Sequence, residues 1–351
     1  MVLLLSESDV AGLVSMADGV RLVEQALKQH AAGASTVMPR VSADLPGGGG
    51  AFRVMSAVLP ELGFFGLKTL TGYPGRRKPN ETYFALLLFG CESGALRAVV
   101  AAGRLTGIRT GAATGVAAKH LSRADSRVLG LFGAGVQARY QVAALAEVRA
   151  LEEVRVFDID AKKAAAFAQE IHGDLNIPAR AVSNPRDAVV GCDLVVSVTA
   201  SKEPVFDGSW LEPGTHVSGV GSNSPGKCEL DLATFQKSRI VVDFKDQALQ
   251  EAGDLQKALK RGAIDERAIS AELSDIVSGR PPGRLNAGEI TLFKSVGMAI
   301  EDIATASFAY QQALEAGVGT RIELDGVHEQ VHEQDEVARL ALPGALRAVQ
   351  S

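Results

Sequence analysis

SRVLGLFGAGVQARYQVAAL, residues 126–145, is the stretch whose reading decides the fold. An apolar strand over 127–132 runs into Gly133-Ala134-Gly135-Val136-Gln137-Ala138 and then into a helix near 136–149. The pattern is G-x-G-x-x-A. Gly133 permits the tight turn, Gly135 lets a pyrophosphate approach the backbone, and Ala138 lets helix and strand pack closely. The helix N-terminus offers free N–H groups and a positive dipole end. A glycine pattern alone is weak evidence, because ordinary tight turns between strand and helix share it. Here the context agrees. EVRVFDID places Asp158 at the end of the next strand, 25 positions after Gly133. An acid there accepts bonds from adenosine ribose hydroxyls and repels a 2′-phosphate, which favours NAD(H) over NADP(H).

Working outward, strands at 127–132, 153–157, 193–198, 215–219 and 239–243 alternate with helical stretches near 136–149, 161–172 and 229–236. That alternation predicts a parallel sheet. Upstream, residues 37–100 read as strands of a mostly antiparallel sheet, punctuated at Pro46–Gly50 and Gly72–Pro79. Before them, Ser6 and Asp9 cap a helical region with apolar positions Leu13, Val14, Val20, Val23 and Leu27, ending at Gly33. GRLTGIRTGAATGVAAKHL, 103–121, reads as a helix whose thin face packs close to another backbone. A last helix is expected over 297–315, followed by a polar, weakly patterned tail. The fold class expected is α/β: a Rossmann-type dinucleotide-binding domain inserted in an α+β substrate-binding and dimerisation domain.

Composition sets the outer bounds. With 351 residues, 46% hydrophobic and 22% charged, the chain has a globular profile of more than one domain. A net charge of −5 offers no basic field for nucleic acid or an anionic membrane. Cys91, Cys192 and Cys228 form no C-x-x-C, and their odd number argues for a reducing, cytoplasmic setting. The apolar run Val2 to Leu5 is too short for a signal peptide, and no stretch approaches a membrane span.

Seven markers in order make the chain resemble the ornithine cyclodeaminase/μ-crystallin family over roughly residues 5–315. They are MPR ending at Arg40, GLK ending at Lys68, IRTGAATGVAAKHL at 108–121, GAGVQA at 133–138, SVTA at 197–200, GSNSPGKCELD at 221–231 and LFKSVGMAIED at 292–302. The family holds cyclodeaminases, alanine dehydrogenases, imine reductases and a lens and hormone-binding protein. The resemblance implies a substrate-binding and dimerising domain over 1–118, a Rossmann domain over 119–296, a returning helix over 297–318 and a tail over 319–351. It implies a homodimer. It implies that Arg40, Lys68 and Arg109 surround the substrate, with Asn223 as a fourth position. It also extends the cofactor-binding set from Gly133, Ala134, Gly135, Val136, Gln137 and Asp158 to Thr82, Thr110, Ser197, Val198, Thr199, Ser295 and Gly297.

Chemistry supports that assignment. A guanidinium holds an α-carboxylate through two parallel bonds, which suits Arg40 and Arg109. Arg109 is expected in the first turn of its helix. Lys68 lies on an apolar strand with Phe64, Phe65, Leu67 and Leu70, where desolvation lowers its pKa and fits it for proton exchange. Cyclodeaminases carry Asp where this chain has Asn223, and an amide cannot take a proton at neutral pH. An ornithine-specific member carries Glu where this chain has Arg53, so a cationic substrate end is repelled. The expected reaction is therefore NAD(H)-dependent redox chemistry at the C–N bond of a small α-amino or α-imino acid. Its side chain is neutral, or bears a second acid held by Arg53. The alternatives are a cyclodeaminase that tolerates Asn223 and a non-catalytic NAD-bound binding protein. No metal is expected. His328-Glu-Gln-Val-His332 matches H-E-x-x-H but lacks a suitable third ligand, and Gly221–Lys227 mimics a P-loop but has Cys228 in place of Ser/Thr.

Overall fold

The computed structural model describes residues 1–46, 50–72 and 82–324. Among these residues the strands form two eight-stranded sheets. Strands of the first are β1 (Val2–Leu5), β2 (Thr36–Val37), β3 (Val41–Leu45), β4 (Gly50–Leu59), β5 (Phe64–Gly72), β6 (Thr82–Gly90) and β7 (Leu96–Ala101). The second holds β8 (Val128–Phe132), β9 (Glu153–Phe157), β10 (Ala179–Ala181), β11 (Leu194–Ser197), β12 (His216–Gly219), β13 (Ser238–Val242), β14 (Ile269–Glu272) and β15 (Ile290–Lys294). A last strand, β16 (Thr320–Ile322), returns to the first sheet. Helices are α1 (Glu7–Val10), α2 (Met16–Ala31), α3 (Gly103–Leu121), α4 (Val136–Val148), α5 (Ala161–Leu175), α6 (Leu232–Lys237), α7 (Lys245–Glu251), α8 (Gly253–Lys260), α9 (Leu273–Val277) and α10 (Ala299–Ala316). Among the described residues no helix is long and apolar enough to cross a membrane.

The second sheet is parallel throughout, in the order β10-β9-β8-β11-β12-β15-β13-β14. Both of its faces are covered, as a parallel sheet requires. Leu129, Leu131, Val154, Val156, Leu194 and Val196 face one core with α4 and α5, while Val195, Val217, Ile240 and Leu292 face the other. The first sheet is antiparallel from β2 to β7, with β1 added parallel to β7 and antiparallel to β16. α10 packs on its strands β4, β5 and β6 and against α2 and α3.

The thin face of α3 is present as expected. Gly107 and Gly111 lie against Tyr140, and a Cβ at Gly111 would overlap the Tyr140 backbone carbonyl. Only glycine brings α3 this close to α4, and so brings the two sheets together.

Several boundaries differ from the sequence reading. The first helical region is two helices, because Ser15 and Asp18 form a second capping box after that of Ser6 and Asp9, and Leu13 and Val14 fall between them. Arg109 stands in the second turn of α3, which begins at Gly103. The helix expected from 229 starts at Leu232, where Asp231 accepts from Thr234 N. β15 was read only as a marker, yet it lies inside the sheet between β12 and β13. A five-residue strand buried on both faces from Thr291 to Lys294 has no alternation to reveal it. The polar tail contributes β16, since an edge strand pairs through its backbone and needs little apolar pattern. The H-E-x-x-H segment at 328–332 lies outside the described residues.

Candidate active site

The chain runs β8, β9, β10 outward on one side, then crosses to β11 on the other side of β8. Strand order reverses there, and a crevice opens at the carboxyl ends of β8 and β11. Gly133 follows β8 with φ +102°, a conformation that disfavours any side chain. A Cβ on Gly133 would lie 2.9 Å from the Val198 carbonyl oxygen and 3.1 Å from Thr199 Cγ2. Gly135 caps α4 in extended backbone, and a Cβ there would meet open space. No side chain caps α4; Ala138 N donates to the Gly135 carbonyl at 3.1 Å, while the Val136 and Gln137 N–H groups have no partner among the described residues. Asp158 accepts from Ala134 N at 2.8 Å and Asp160 N at 2.9 Å, which places its carboxylate at the mouth of the turn. Val136 beside it is exposed. Gly133→Ala is expected to weaken NADH binding by about tenfold or more, since strain of about 1–3 kcal/mol falls on the turn itself. Titration of the nicotinamide fluorescence measures it, and unchanged affinity would remove the turn from the site.

Two buried carboxylates fix the crevice floor. Glu229 accepts from Gly221 N at 2.6 Å, Ser222 N at 3.0 Å and Thr199 N, and from Ser197 Oγ at 3.2 Å. It thereby ties the loop after β11 to the loop after β12. Ser197, expected to face the cofactor, is fully buried and turned to Glu229 instead, because the inward pleat of β11 points its hydroxyl beneath the floor. Asp243, just after β13, accepts from Val296 N at 2.6 Å, Ser295 Oγ at 3.1 Å and Gly297 N.

Between the sheets lies a cavity of about 460 Å³. Gln137, Val198, Thr199, Ser295 and Gly297 line its cofactor side, and Thr82, Thr106 and Thr110 also border it. Its charged wall residues are Arg40, Arg53, Arg109 and Lys227, and no carboxylate lines it among the described residues. Thr106 Oγ1 and Gln137 Oε1 are buried without a hydrogen-bond partner among the described residues, which is what a polar ligand satisfies.

Each deep cation is held from behind. Arg109 Nη1 donates to Glu301 Oε2 at 2.8 Å, and its Nε lies 3.0 Å from Asp302 Oδ1. Lys68 is fully buried on β5 and donates to the same Asp302 Oδ1 at 2.6 Å. Lys68 lies behind the wall formed by its neighbours Met55 and Phe84, whose ring centroid is 5.9 Å from Nζ. Burial and the Arg109 charge push the Lys68 amine down to about 8. Burial pushes the Glu301 carboxyl up to about 7, against the pull of Arg109. Arg40 pairs with Glu251 and donates to the Val296 and Gly297 carbonyls at 2.9 and 3.1 Å. Asn223 Oδ1 accepts from Lys227 Nζ at 3.0 Å, and its NH₂ has no partner among the described residues and borders the cavity. The Arg53 side chain makes no hydrogen bond or ion pair among the described residues, and it lines the cavity.

The family model described as the ornithine cyclodeaminase/mu-crystallin family matches residues 2–317. The chain belongs to that family. It is 36% identical to an alanine dehydrogenase of Archaeoglobus fulgidus over 323 residues, covering 92% of this chain and 98% of that protein. Its fold matches the Thermococcus litoralis Δ¹-pyrroline-2-carboxylate reductase solved with NADH and L-proline, with a TM-score of 0.89 and 41% identity over 91% of this chain and 100% of that one. It also matches an archaeal alanine dehydrogenase dimer with bound NAD, with a TM-score of 0.87 and 35% identity over 92% and 99%.

In this family member the residues read from sequence converge. Arg40, Arg53, Arg109 and Asn223 share one wall, and Lys68 stands directly behind it. The counter-ions Glu251, Glu301 and Asp302 and the floor carboxylates Glu229 and Asp243 had no role assigned from sequence. One signal was available. Glu301 and Asp302 interrupt the otherwise apolar run MAIEDIATASFA, and adjacent acids inside a buried helix need partners.

Proposed function

We propose that this chain transfers hydride between NAD(H) and the α-carbon of a small α-amino or α-imino acid, acting as an amino-acid dehydrogenase or imine reductase. One observation carries the reading: the crevice at the glycine turn opens into a cavity walled by cations and, among the described residues, lined by no carboxylate. Nicotinamide supplies or accepts the hydride. Arg109 and Arg40 hold the α-carboxylate, and Asn223 orients the nitrogen through its NH₂. Lys68, one layer behind the cavity wall, supplies the proton to the nitrogen as the C=N bond is reduced, or takes one in the reverse direction, once the Met55 and Phe84 side chains in front of it shift to let its Nζ reach. Asp158 at the turn supports NAD(H) over NADP(H). Arg53 and Lys227 make the far corner of the cavity positive, which favours a neutral or acidic substrate side chain over ornithine.

In this reading 1–118 with the helix in 297–318 builds the substrate side, and 119–296 builds the cofactor side. The chain works as a homodimer in the cytoplasm. Exposed Val41 and Phe52 on the first sheet and the archaeal dimer support the pairing, and three unpaired cysteines support a reducing compartment.

The test is a panel of α-keto acids with amines, and of cyclic imino acids, with NADH or NADPH, run beside NAD⁺ with amino acids. Consumption of NADH with a cyclic imino acid alone, or with an α-keto acid only when an amine is present, with NADPH poorer, is the expected result. Ammonia release from ornithine without net NADH change would favour a cyclodeaminase. Tight NADH binding with no turnover would favour a binding protein.

A further inference from the structure

We propose that Asp302 is the positioning residue that locks Lys68 and Arg109 into one unit and keeps Lys68 charged for proton delivery. The inference rests on the redox reading above. A single oxygen, Asp302 Oδ1, meets both Lys68 Nζ and Arg109 Nε, although the two cations come from β5 and α3. It is carried on the first turn of α10, where the helix dipole favours a negative charge. Both partners and the acid are buried, so water cannot replace this contact. The geometry also orients Arg109. Nη1 donates to Glu301, Nε is held at 3.0 Å from Asp302 Oδ1 by charge without a hydrogen bond, and Nη2 makes no hydrogen bond among the described residues and is left for a ligand.

The charges facing Lys68 are unequal. Arg109 from α3 and Arg40 from the link between β2 and β3 oppose its protonated form, as does burial. Asp302 favours it, with Glu301 beside Asp302 bound to Arg109 instead. On β4 and β6, the residues opposite Lys68 are the apolar Met55 and Leu86. Asp302 is therefore, among the described residues, the one carboxylate in direct contact holding the proton on Lys68. Removing its charge while keeping its shape leaves the lysine among two arginines in a dry site.

Asp302→Asn tests this, with Asp302→Glu and Glu301→Gln as comparators. The Lys68 titration is followed by NMR of ¹³C-labelled lysine, assigned through Lys68→Arg, and kcat/KM for reduction is measured across pH. In Asp302→Asn the Lys68 midpoint and the alkaline limb of kcat/KM are both expected to move down by about one unit or more. That lowers kcat/KM by about tenfold above the limb. Asp302→Glu restores much of the shift, and Glu301→Gln moves the limb far less. An unmoved midpoint in Asp302→Asn overturns the proposal. So does an activity loss that is even at every pH, because a merely structural acid gives that pattern. If the wild type consumes no NADH with any substrate, the functional reading fails, while the NMR midpoint still decides the role of Asp302.

Discussion

Lys68→Met lowers kcat/KM for imino-acid reduction by about 10²–10⁴-fold, the contribution expected of a placed general acid. Methionine keeps the buried volume, and Asp302 keeps Arg109 as a partner, so the fold is retained. NADH affinity stays near wild type, because Lys68 lies behind the substrate wall and away from the glycine turn. The wild-type reductive profile falls above about pH 8, where the Lys68 amine loses its proton. The oxidative direction shows the mirror limb, because it needs the neutral amine. Stopped-flow hydride transfer and a thermal melt check both halves. Undiminished turnover in Lys68→Met removes this residue from the chemistry.

Arg109→Met has the larger effect on stability. It removes a cation from two buried acids, Glu301 and Asp302, and breaking a buried pair from one side costs about 3–5 kcal/mol. Lys68 still pairs with Asp302, so the orphan is Glu301. That carboxyl already stands at about 7, above its ordinary 4.5, and the loss of Arg109 raises it further. An acid whose folded value exceeds its unfolded value binds more protons when folded. Its contribution to stability is thus present below the unfolded value and lost as pH rises. The deficit of Arg109→Met is therefore expected to be greater at pH 8 than at pH 6. Urea unfolding at the two pH values measures it. A deficit that is equal at both would show that Glu301 is not the orphaned group. Substrate KM rises as well, since a carboxylate clamp is lost.

The two expectations share a cause that neither residue shows on its own strand or helix. Lys68 and Arg109 are recognisable by type and by family marker, but their behaviour is set by acids 234 and 192 positions away. The same holds for Arg40, whose partner Glu251 lies 211 positions on. Burial of a cation near an acid is a property of the assembled sheets, so desolvation could be anticipated for Lys68 from its apolar neighbours while its counter-ion could not. Ser197 makes the converse point. Its place in SVTA suggested a cofactor contact, and the pleat of β11 turned it to Glu229.

What the amino-acid order determined by itself was whatever is encoded within a few turns of chain. The strand, glycine turn and helix at 126–145 are contiguous, and φ > 0 at Gly133 and the missing Cβ groups of α3 are local properties of single residues. The family and the set of cations followed from markers of the same short range. Tertiary structure alone decided the rest. β15 entered the sheet between β12 and β13, β1 joined β7 in parallel, and β16 closed the edge, because backbone pairing between distant strands leaves no periodic trace. The pairing of Lys68 and Arg109 through one oxygen of Asp302 came the same way. A buried charge chooses its partner by distance in a low-dielectric interior, and that distance exists only once α10 has packed against β5 and α3.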